Sequence, residues 1–214
     1  MKPKVTIVDY GSGNVLSVSR ALAHCGAEIV LSGDPKLIHE SDRLVLPGVG
    51  AFAGCMDKLK SRGLPDTINE FVETGRPFLG ICVGMQILFD ESEEFGRHEG
   101  LGLIPGKVVK IPSTDANGKR HSIPFIGWSP LALPVGQNEW KGTVLEDIRP
   151  GDSAYFLHSY TVQPTEQKYR LADTSYDGCV ISAAVGHNNI IGTQFHLEKS
   201  GPTGLRIITR FLRL

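Results

Sequence analysis

Three residues could together form a cysteine-based catalytic site. Cys82 lies between two glycines in the stretch GICVG (residues 80–84), which joins an apolar strand-like run to a helix-like pattern. His196 ends another strand-like run near the C-terminus, and Glu198 follows two positions later. A thiolate nucleophile needs a base to take up its proton, and the base needs a group that orients it. These residue types therefore predict nucleophilic catalysis by cysteine.

The surroundings of Cys82 predict a nucleophile elbow, which is a strand, a Gly-x-Cys-x-Gly turn and a helix in succession. Glycines leave room for the strained backbone of the nucleophile beside neighbouring elements. The helix N-terminus favours the thiolate of Cys82, and the N–H of Val83 could face a developing oxyanion. We expect the helix-like pattern to continue through Phe89. For this motif alone, a buried structural cysteine in a glycine-rich connection is the alternative.

Two of the seven histidines are candidates for the base. His158 lies within the strand-like run YFLHSY, whereas His196 is followed closely by Glu198. In an extended segment, side chains two positions apart leave the same face, so Glu198 could hold the imidazole of His196. A structural or surface role is the alternative for His-x-Glu alone.

The first half of the chain contains the elements that would position Cys82. Strand-like and helix-like segments alternate there, which predicts a parallel sheet with helices on both faces. In such sheets the chemistry gathers at the carboxyl ends of strands, where both Cys82 and the turn PGVG (residues 47–50) fall. Between residues 101 and 195, strand-like runs such as AYFLHSYTV are punctuated by Gly, Pro and Asn, which predicts antiparallel or mixed pairing. An amphipathic helix is expected at the C-terminus.

The composition is that of an ordinary soluble protein, with 41% hydrophobic residues, 21% charged residues and a net charge of -1. This balance does not favour binding to nucleic acid or to a membrane surface. The absence of a signal-peptide pattern and of a long apolar run predicts a cytoplasmic protein. The four cysteines have no metal-type spacing and are expected to be reduced. The length predicts one domain over residues 1–214.

Taken together, the motifs resemble those of the class I, or triad, glutamine amidotransferases, which hydrolyse glutamine to glutamate and ammonia. The matching motifs occur in the expected order across nearly the whole chain: VDYGSGN, LPGVGAF, GICVGMQ, FDESEE, IGWSPL, YFLHSY and GTQFHLEKS. The resemblance implies an α/β fold of the flavodoxin-like kind, an αβα sandwich with a central mixed, mostly parallel sheet and an antiparallel strand region in the second half. Within the class, the chain is most similar to the glutaminase subunits of imidazole glycerol phosphate synthase, an enzyme of histidine biosynthesis.

The resemblance also implies a role for each matching residue. Cys82 matches the nucleophile, His196 the general base and acid, and Glu198 the acid that orients the base. The amides expected to bind the oxyanion belong to Gly48, Val49 and Val83. The residues expected to surround the substrate glutamine are Gly50, Gln86, Glu94, His158, Ser159 and Tyr160. The resemblance implies no metal and no cofactor.

A partner chain is implied as well. In the resembled enzyme, ammonia passes to a cyclase subunit, a (β/α)₈ barrel that forms a heterodimer with the glutaminase. Nothing in this sequence resembles that barrel, so we expect the cyclase to be a separate chain. Trp128 matches an aromatic position near the partner interface, and ordinary burial in a strand is the alternative. The family usually has His-Pro-Glu, whereas Leu197 separates the two residues here and leaves the backbone freer than proline would.

Three other interpretations compete with this one. A glutaminase that serves another pathway, such as chorismate or vitamin synthesis, would not be expected to share VDYGSGN and YFLHSY. A cysteine peptidase or chaperone-like protein of the same superfamily would lack the late His-x-Glu. A non-catalytic scaffold would not need an intact triad. The sequence also suggests a switch, because the peptide between Gly48 and Val49 is flanked by glycine and can rotate at little steric cost.

Overall fold

The computed structural model describes residues 2–115 and 117–214. Its strands are β1 Lys4–Val8, β2 Glu28–Ser32, β3 Arg43–Gly48, β4 Phe78–Cys82, β5 Phe89–Ser92, β6 His98–Glu99, β7 Ile104–Lys110, β8 Phe125–Pro130, β9 Ser153–His158, β10 Tyr160–Pro164, β11 Arg170–Tyr176, β12 Cys179–His187 and β13 Ile190–Thr193. Its α-helices are α1 Val15–His24, α2 Pro35–His39, α3 Phe52–Ser61, α4 Leu64–Glu73, α5 Val83–Gln86 and α6 Gly201–Phe211.

A seven-stranded sheet forms the centre of the fold, with the strand order β11-β12-β13-β4-β3-β1-β2. The strands from β13 to β2 pair in parallel, whereas β12 and β11 continue one edge in antiparallel pairing. The predicted α/β fold with a mixed, mostly parallel sheet is therefore confirmed. Because β13, β4 and β3 are neighbours, their carboxyl ends bring together the three segments that carry His196, Cys82 and the PGVG turn.

The helices cover the central sheet in two groups. Helix α1 packs against α6, while α2 and α3 pack against α4. Helix α2 begins as the sequence predicts, since Pro35 occupies the first turn and the side chain of Asp34 accepts a hydrogen bond from the N–H of Lys36. The C-terminal helix α6 is amphipathic and buries Ile207 and Phe211.

Two predictions about local structure are wrong. The helix after Cys82 is a single turn that ends at Gln86, and Phe89 begins strand β5. The run AYFLHSYTV is not one strand, because β9 pairs with β8 whereas β10 pairs with β7 in a separate four-stranded sheet. The chain changes sheets at Ser159, which directs the residues on both sides of it toward the end of β4.

One cluster of buried apolar side chains extends from Val5 to Leu212 and supports the prediction of one domain, which stays a prediction. Within residues 2–115 and 117–214, no helix is long and apolar enough to cross a membrane.

Candidate active site

The backbone at Cys82 has the strained conformation of a nucleophile elbow. Its φ of 56° and ψ of -113° lie in a region that non-glycine residues rarely adopt. Helix α5 begins at the next residue, so the sulfur lies beside a helix N-terminus. A Cβ atom on Gly84 would overlap the carbonyl oxygen of Leu46 in β3, which explains why this turn needs glycine.

His196 lies just beyond the end of β13 and is held by backbone contacts with β9. Its N–H donates to the carbonyl of Tyr155 at 3.0 Å, and its own carbonyl accepts from the hydroxyl of Ser200 at 2.6 Å. The same Ser200 oxygen accepts the N–H of Tyr155 at 3.0 Å. This closed set of hydrogen bonds fixes the backbone of His196.

Glu198 holds the imidazole of His196, although not in the predicted extended geometry. Residues Leu197–Lys199 form a 3-10 turn, so the expectation of a continuous extended segment is wrong. The turn nevertheless brings Oε1 of Glu198 to 2.9 Å from Nδ1 of His196. The side chain of Glu198 is only 1% exposed, and Oε1 also accepts from the side-chain amide of Asn14 at 3.3 Å.

The contacts of His196 favour its charged form. Burial acts to lower the pKa of His196, but its interactions with Cys82 and Glu198 outweigh burial and raise that pKa to about 9. The ring therefore carries a proton at neutral pH.

A cavity of about 410 Å³ opens at Cys82 and His196, a size suited to a small molecule. It is lined by all six residues predicted to surround the substrate and by the predicted oxyanion residues Val49 and Val83. The remaining lining residues are Asn14, Pro124, Leu157 and Lys199. Gly48 and Glu198 are not in its wall. Gly48 packs behind it, where a Cβ atom would come within 2.6 Å of the backbone nitrogen of Gly84.

His158 presents a neutral ring to the cavity. Burial lowers the pKa of His158 to about 4, with a further contribution from the nearby His196. Its Nδ1–H donates to the carbonyl of Tyr160 at 2.9 Å. Its Nε2 is buried and has no hydrogen-bond partner in the described part of the chain.

Gln86 and Gln194 connect the cavity wall to Cys82. The amide nitrogen of Gln86 donates to the carbonyl of Tyr160 and to the side-chain oxygen of Gln194, both at 3.0 Å. The amide nitrogen of Gln194 then lies 3.8 Å from the sulfur of Cys82. Gln86 is only 3% exposed, so it does not lie on a solvated helix face.

Glu94 has a structural contact as well as a place in the cavity wall. Its carboxylate accepts the N–H of Phe52 at 2.6 Å, which caps the start of α3. A carboxylate is favourable at a helix N-terminus, so helix α3 fixes the position of this negative charge.

The sequence prediction missed three polar residues of the site, Asn14, Gln194 and Lys199. Gln194 lies two positions before His196, and the spacing rule used for Glu198 would have placed it on the same face as His196. Asn14 lies in the motif VDYGSGN, which contributed to the resemblance but received no role. Only the tertiary structure brings Asn14 next to Glu198.

The model of the family "Glutamine amidotransferase class-I" matches residues 6–214. The solved structures agree with this match at the level of the fold. PurLQS from Thermotoga maritima superimposes with a TM-score of 0.72 at 18% identity and covers 100% of this chain and 99% of that chain. A structure described as a glutamine amidotransferase gives a TM-score of 0.72 at 16% identity, with 98% and 99% coverage. The chain belongs to the class I glutamine amidotransferases.

Similar full-length proteins define a narrower group. The imidazole glycerol phosphate synthase subunit HisH 1 of Legionella pneumophila (strain Lens) is 49% identical over 98% of this chain and 99% of that protein. The HisH subunit of Syntrophotalea carbinolica is 42% identical, with 97% and 98% coverage. The HisH subunit of Geobacillus thermodenitrificans is 43% identical, with 97% and 94% coverage. Within its class, the chain belongs to the HisH group.

Proposed function

We propose that this chain is the glutaminase subunit of imidazole glycerol phosphate synthase and that Cys82, His196 and Glu198 are its catalytic residues. The proposal depends mainly on one observation. A cysteine at a strained elbow and a histidine line the same cavity, and ring nitrogen Nδ1 of that histidine lies 2.9 Å from a buried carboxylate. This arrangement has the nucleophile, base and orienting group that acyl transfer requires.

The first half of the reaction forms a thioester. The thiolate of Cys82, whose proton has passed to His196, attacks the side-chain carbonyl carbon of glutamine. The resulting oxyanion accepts hydrogen bonds from the N–H of Val83 and from the turn at Gly48 and Val49. His196 gives its proton to the departing nitrogen, the carbon–nitrogen bond breaks, and ammonia leaves.

The second half releases glutamate. His196 takes a proton from water, and the resulting hydroxide attacks the thioester carbonyl. The carbon–sulfur bond breaks, and Cys82 leaves as the thiolate beside the imidazolium. Glu198 stabilises the charged imidazole in both halves.

Substrate recognition is proposed for the cavity residues Gly50, Gln86, Glu94, His158, Ser159 and Tyr160. Glu94 has a negative charge that suits the α-ammonium group of glutamine. His158 offers an unpaired, neutral acceptor at Nε2. Since both groups are held by contacts with the protein, little reorganisation is needed when substrate binds.

The partner in this proposal is a separate cyclase subunit, a (β/α)₈ barrel, that binds this chain as a heterodimer. It would combine the ammonia with a phosphoribulosyl-formimino intermediate to give imidazole glycerol phosphate and an aminoimidazole carboxamide ribotide. An exposed apolar face on β8 and β9 supports a partner, because Ile126, Trp128 and Leu157 lie there and Leu157 also borders the cavity. Trp128 is 57% exposed, so ordinary burial does not account for it. A cytoplasmic location stays a prediction.

The proposal also includes control by the partner. The peptide between Gly48 and Val49 can rotate so that either its N–H or its carbonyl faces the oxyanion. Loss of one oxyanion donor reduces the rate by about 10² to 10³. We therefore expect the isolated chain to hydrolyse glutamine slowly, and the cyclase with its nucleotide ligand to accelerate it by at least about two orders of magnitude.

One experiment tests these points together. Glutamate release and product synthesis are measured for the isolated chain and for its complex with a cyclase of a HisH relative. In the complex, Cys82→Ala should abolish glutamine-dependent synthesis while synthesis from added ammonium persists, because the cyclase site lies on the other chain. Normal glutamine hydrolysis by Cys82→Ala would contradict the catalytic assignment. A fully active isolated chain that the cyclase does not stimulate would contradict the proposed control.

A further inference from the structure

Three polar side chains hold the turn PGVG from the side opposite the cavity. The hydroxyl of Tyr10 donates to the carbonyl of Pro47 at 2.7 Å. The hydroxyl of Ser12 donates to the carbonyl of Val49 at 2.9 Å. The thiol of Cys55 lies 3.4 Å from the same carbonyl oxygen and 3.3 Å from the Ser12 hydroxyl. We call Tyr10, Ser12 and Cys55 the turn clamp.

The turn clamp contacts two peptide groups and omits the one between them. Each peptide group is a planar unit, so a bond to its carbonyl fixes the orientation of the whole group. The carbonyl of Pro47 belongs to the peptide before Gly48, and the carbonyl of Val49 belongs to the peptide that follows Val49. The peptide between Gly48 and Val49 is therefore flanked by two held neighbours. Rotation is confined to this central peptide.

The turn clamp is itself fixed to helix α3. Cys55 is a buried residue of that helix. From the same helix, the ammonium of Lys58 donates to the carbonyl of Gly11 at 2.8 Å. Arg62, at the end of α3, donates to the carbonyl of Asp9 at 2.8 Å. The loop that carries Tyr10 and Ser12 therefore has little freedom to follow a movement of the turn.

We propose that Ser12 and Cys55, backed by Tyr10, are positioning residues that hold the carbonyl of Val49 and so keep the central peptide, whose N–H binds the oxyanion in its active orientation, at a fixed place beside Cys82. This inference rests on the proposed function, since it assigns a role within the same glutaminase site. None of the three side chains lines the cavity. Their effect is on the transition state, because the turn matters most when negative charge develops on the carbonyl oxygen.

The test compares the wild-type chain with Ser12→Ala, both in complex with the cyclase and its ligand. The net free energy of a neutral hydrogen bond corresponds to a change in rate of about two- to tenfold, so kcat should fall by that factor. The KM for glutamine should change less than twofold, because an interaction made in the transition state lowers kcat and kcat/KM together. Ser12→Thr keeps the hydroxyl and should restore most of the rate.

Two controls separate positioning from general loosening of the fold. Ser41→Ala removes another buried serine hydroxyl, which donates to the carbonyl of Ile38 at 2.7 Å far from the cavity, and should leave kcat unchanged. Synthesis from added ammonium should be the same for every complex, which shows that the cyclase is assembled and active.

Several results would contradict the proposed role of the turn clamp. One is a kcat of Ser12→Ala that equals that of the wild type. Another is a fall in kcat of Ser41→Ala as large as that of Ser12→Ala. A third is a faster rate of the isolated Ser12→Ala chain, which would mean that Ser12 holds the turn in an inactive form. If the wild-type complex itself fails to hydrolyse glutamine, the proposed function fails instead, so the two failures can be told apart.

Discussion

The two halves of the candidate site are positioned in different ways. At the end of β4, the place of Cys82 depends on the absence of side chains, because Gly84 and Gly48 lie too close to neighbouring backbone to carry a Cβ. At the end of β13, the place of His196 depends on polar contacts with Tyr155, Glu198 and Ser200. Cys82 is thus fixed by steric fit, and His196 is fixed by hydrogen bonds.

This difference predicts how the activity responds to substitutions in each half of the site. Steric overlap in a close-packed interior is relieved only when backbone moves, so a small substitution at the elbow should have a large effect. A hydrogen-bonded turn loses one contact at a time, so its variants should show graded effects. Substitutions in the two halves can therefore be ranked before any is made.

The largest effect is expected for Gly84→Ala. The added methyl group would overlap the carbonyl of Leu46, so α5 or β3 must shift and the N–H of Val83 would leave the oxyanion. Loss of one oxyanion donor lowers kcat by about 10² to 10³. Glutaminase kcat of the complex measures this effect.

Gly54→Ala is the matched control for that substitution. Gly54 lies in helix α3, and a Cβ atom there would meet no atom within 4 Å. Alanine is favoured over glycine in a helix by up to about 1 kcal/mol, so this variant should keep its activity and melt slightly higher. Equal activity of Gly84→Ala and Gly54→Ala would show that steric fit does not position the nucleophile.

A smaller effect is expected for Glu198→Gln, which tests how Glu198 affects the pKa of His196. The His196 pKa of about 9 predicts that kcat falls as the pH rises through about 9, because the acid that protonates ammonia is lost. Glutamine lacks the charge that helps to raise this pKa, so the alkaline limb should move to lower pH. The loss of a charged hydrogen bond should also lower kcat at pH 7 by about 10- to 100-fold.

The pH profile distinguishes this explanation from damage to the fold. A variant that is merely loosened would have a lower plateau with the alkaline limb at the same pH as in the wild type. That outcome would show that Glu198 does not set the proton affinity of His196.

The same contrast explains which features the sequence could predict. The elbow is local, since Cys82 and its glycines are neighbours in the chain, and its pattern alone indicated a strained turn. The extended pattern of GTQFH did not indicate the 3-10 turn at Glu198, where Ser200 also contacts Tyr155, a residue remote in sequence. The change of sheets at Ser159 was not indicated either, since a run of strand-forming residues does not specify its pairing partner.

The smallest effect is expected for Leu197→Pro. Leu197 is the first residue of the 3-10 turn, where the N–H has no acceptor within the helix and proline is tolerated. The preceding His196 already has the extended backbone that proline favours, with φ of -83° and ψ of 106°. Proline should therefore preserve the geometry of His196 and Glu198, and we expect kcat within about threefold of wild type, less than the effect of one typical hydrogen bond.

Stability provides the sharper test of this substitution. Leu197 is buried, and proline has one side-chain carbon fewer, which costs about 0.8 kcal/mol. The lower entropy of the unfolded chain offsets this by about 0.4 to 1 kcal/mol, so the melting temperature should change by less than about 4 °C. Leu197→Ala, which loses burial without fixing φ, should be the less stable variant. If proline lowered the melting temperature more than alanine, the N–H of Leu197 would have to make a hydrogen bond that the turn needs, and the base would be held more tightly than its side-chain contacts indicate.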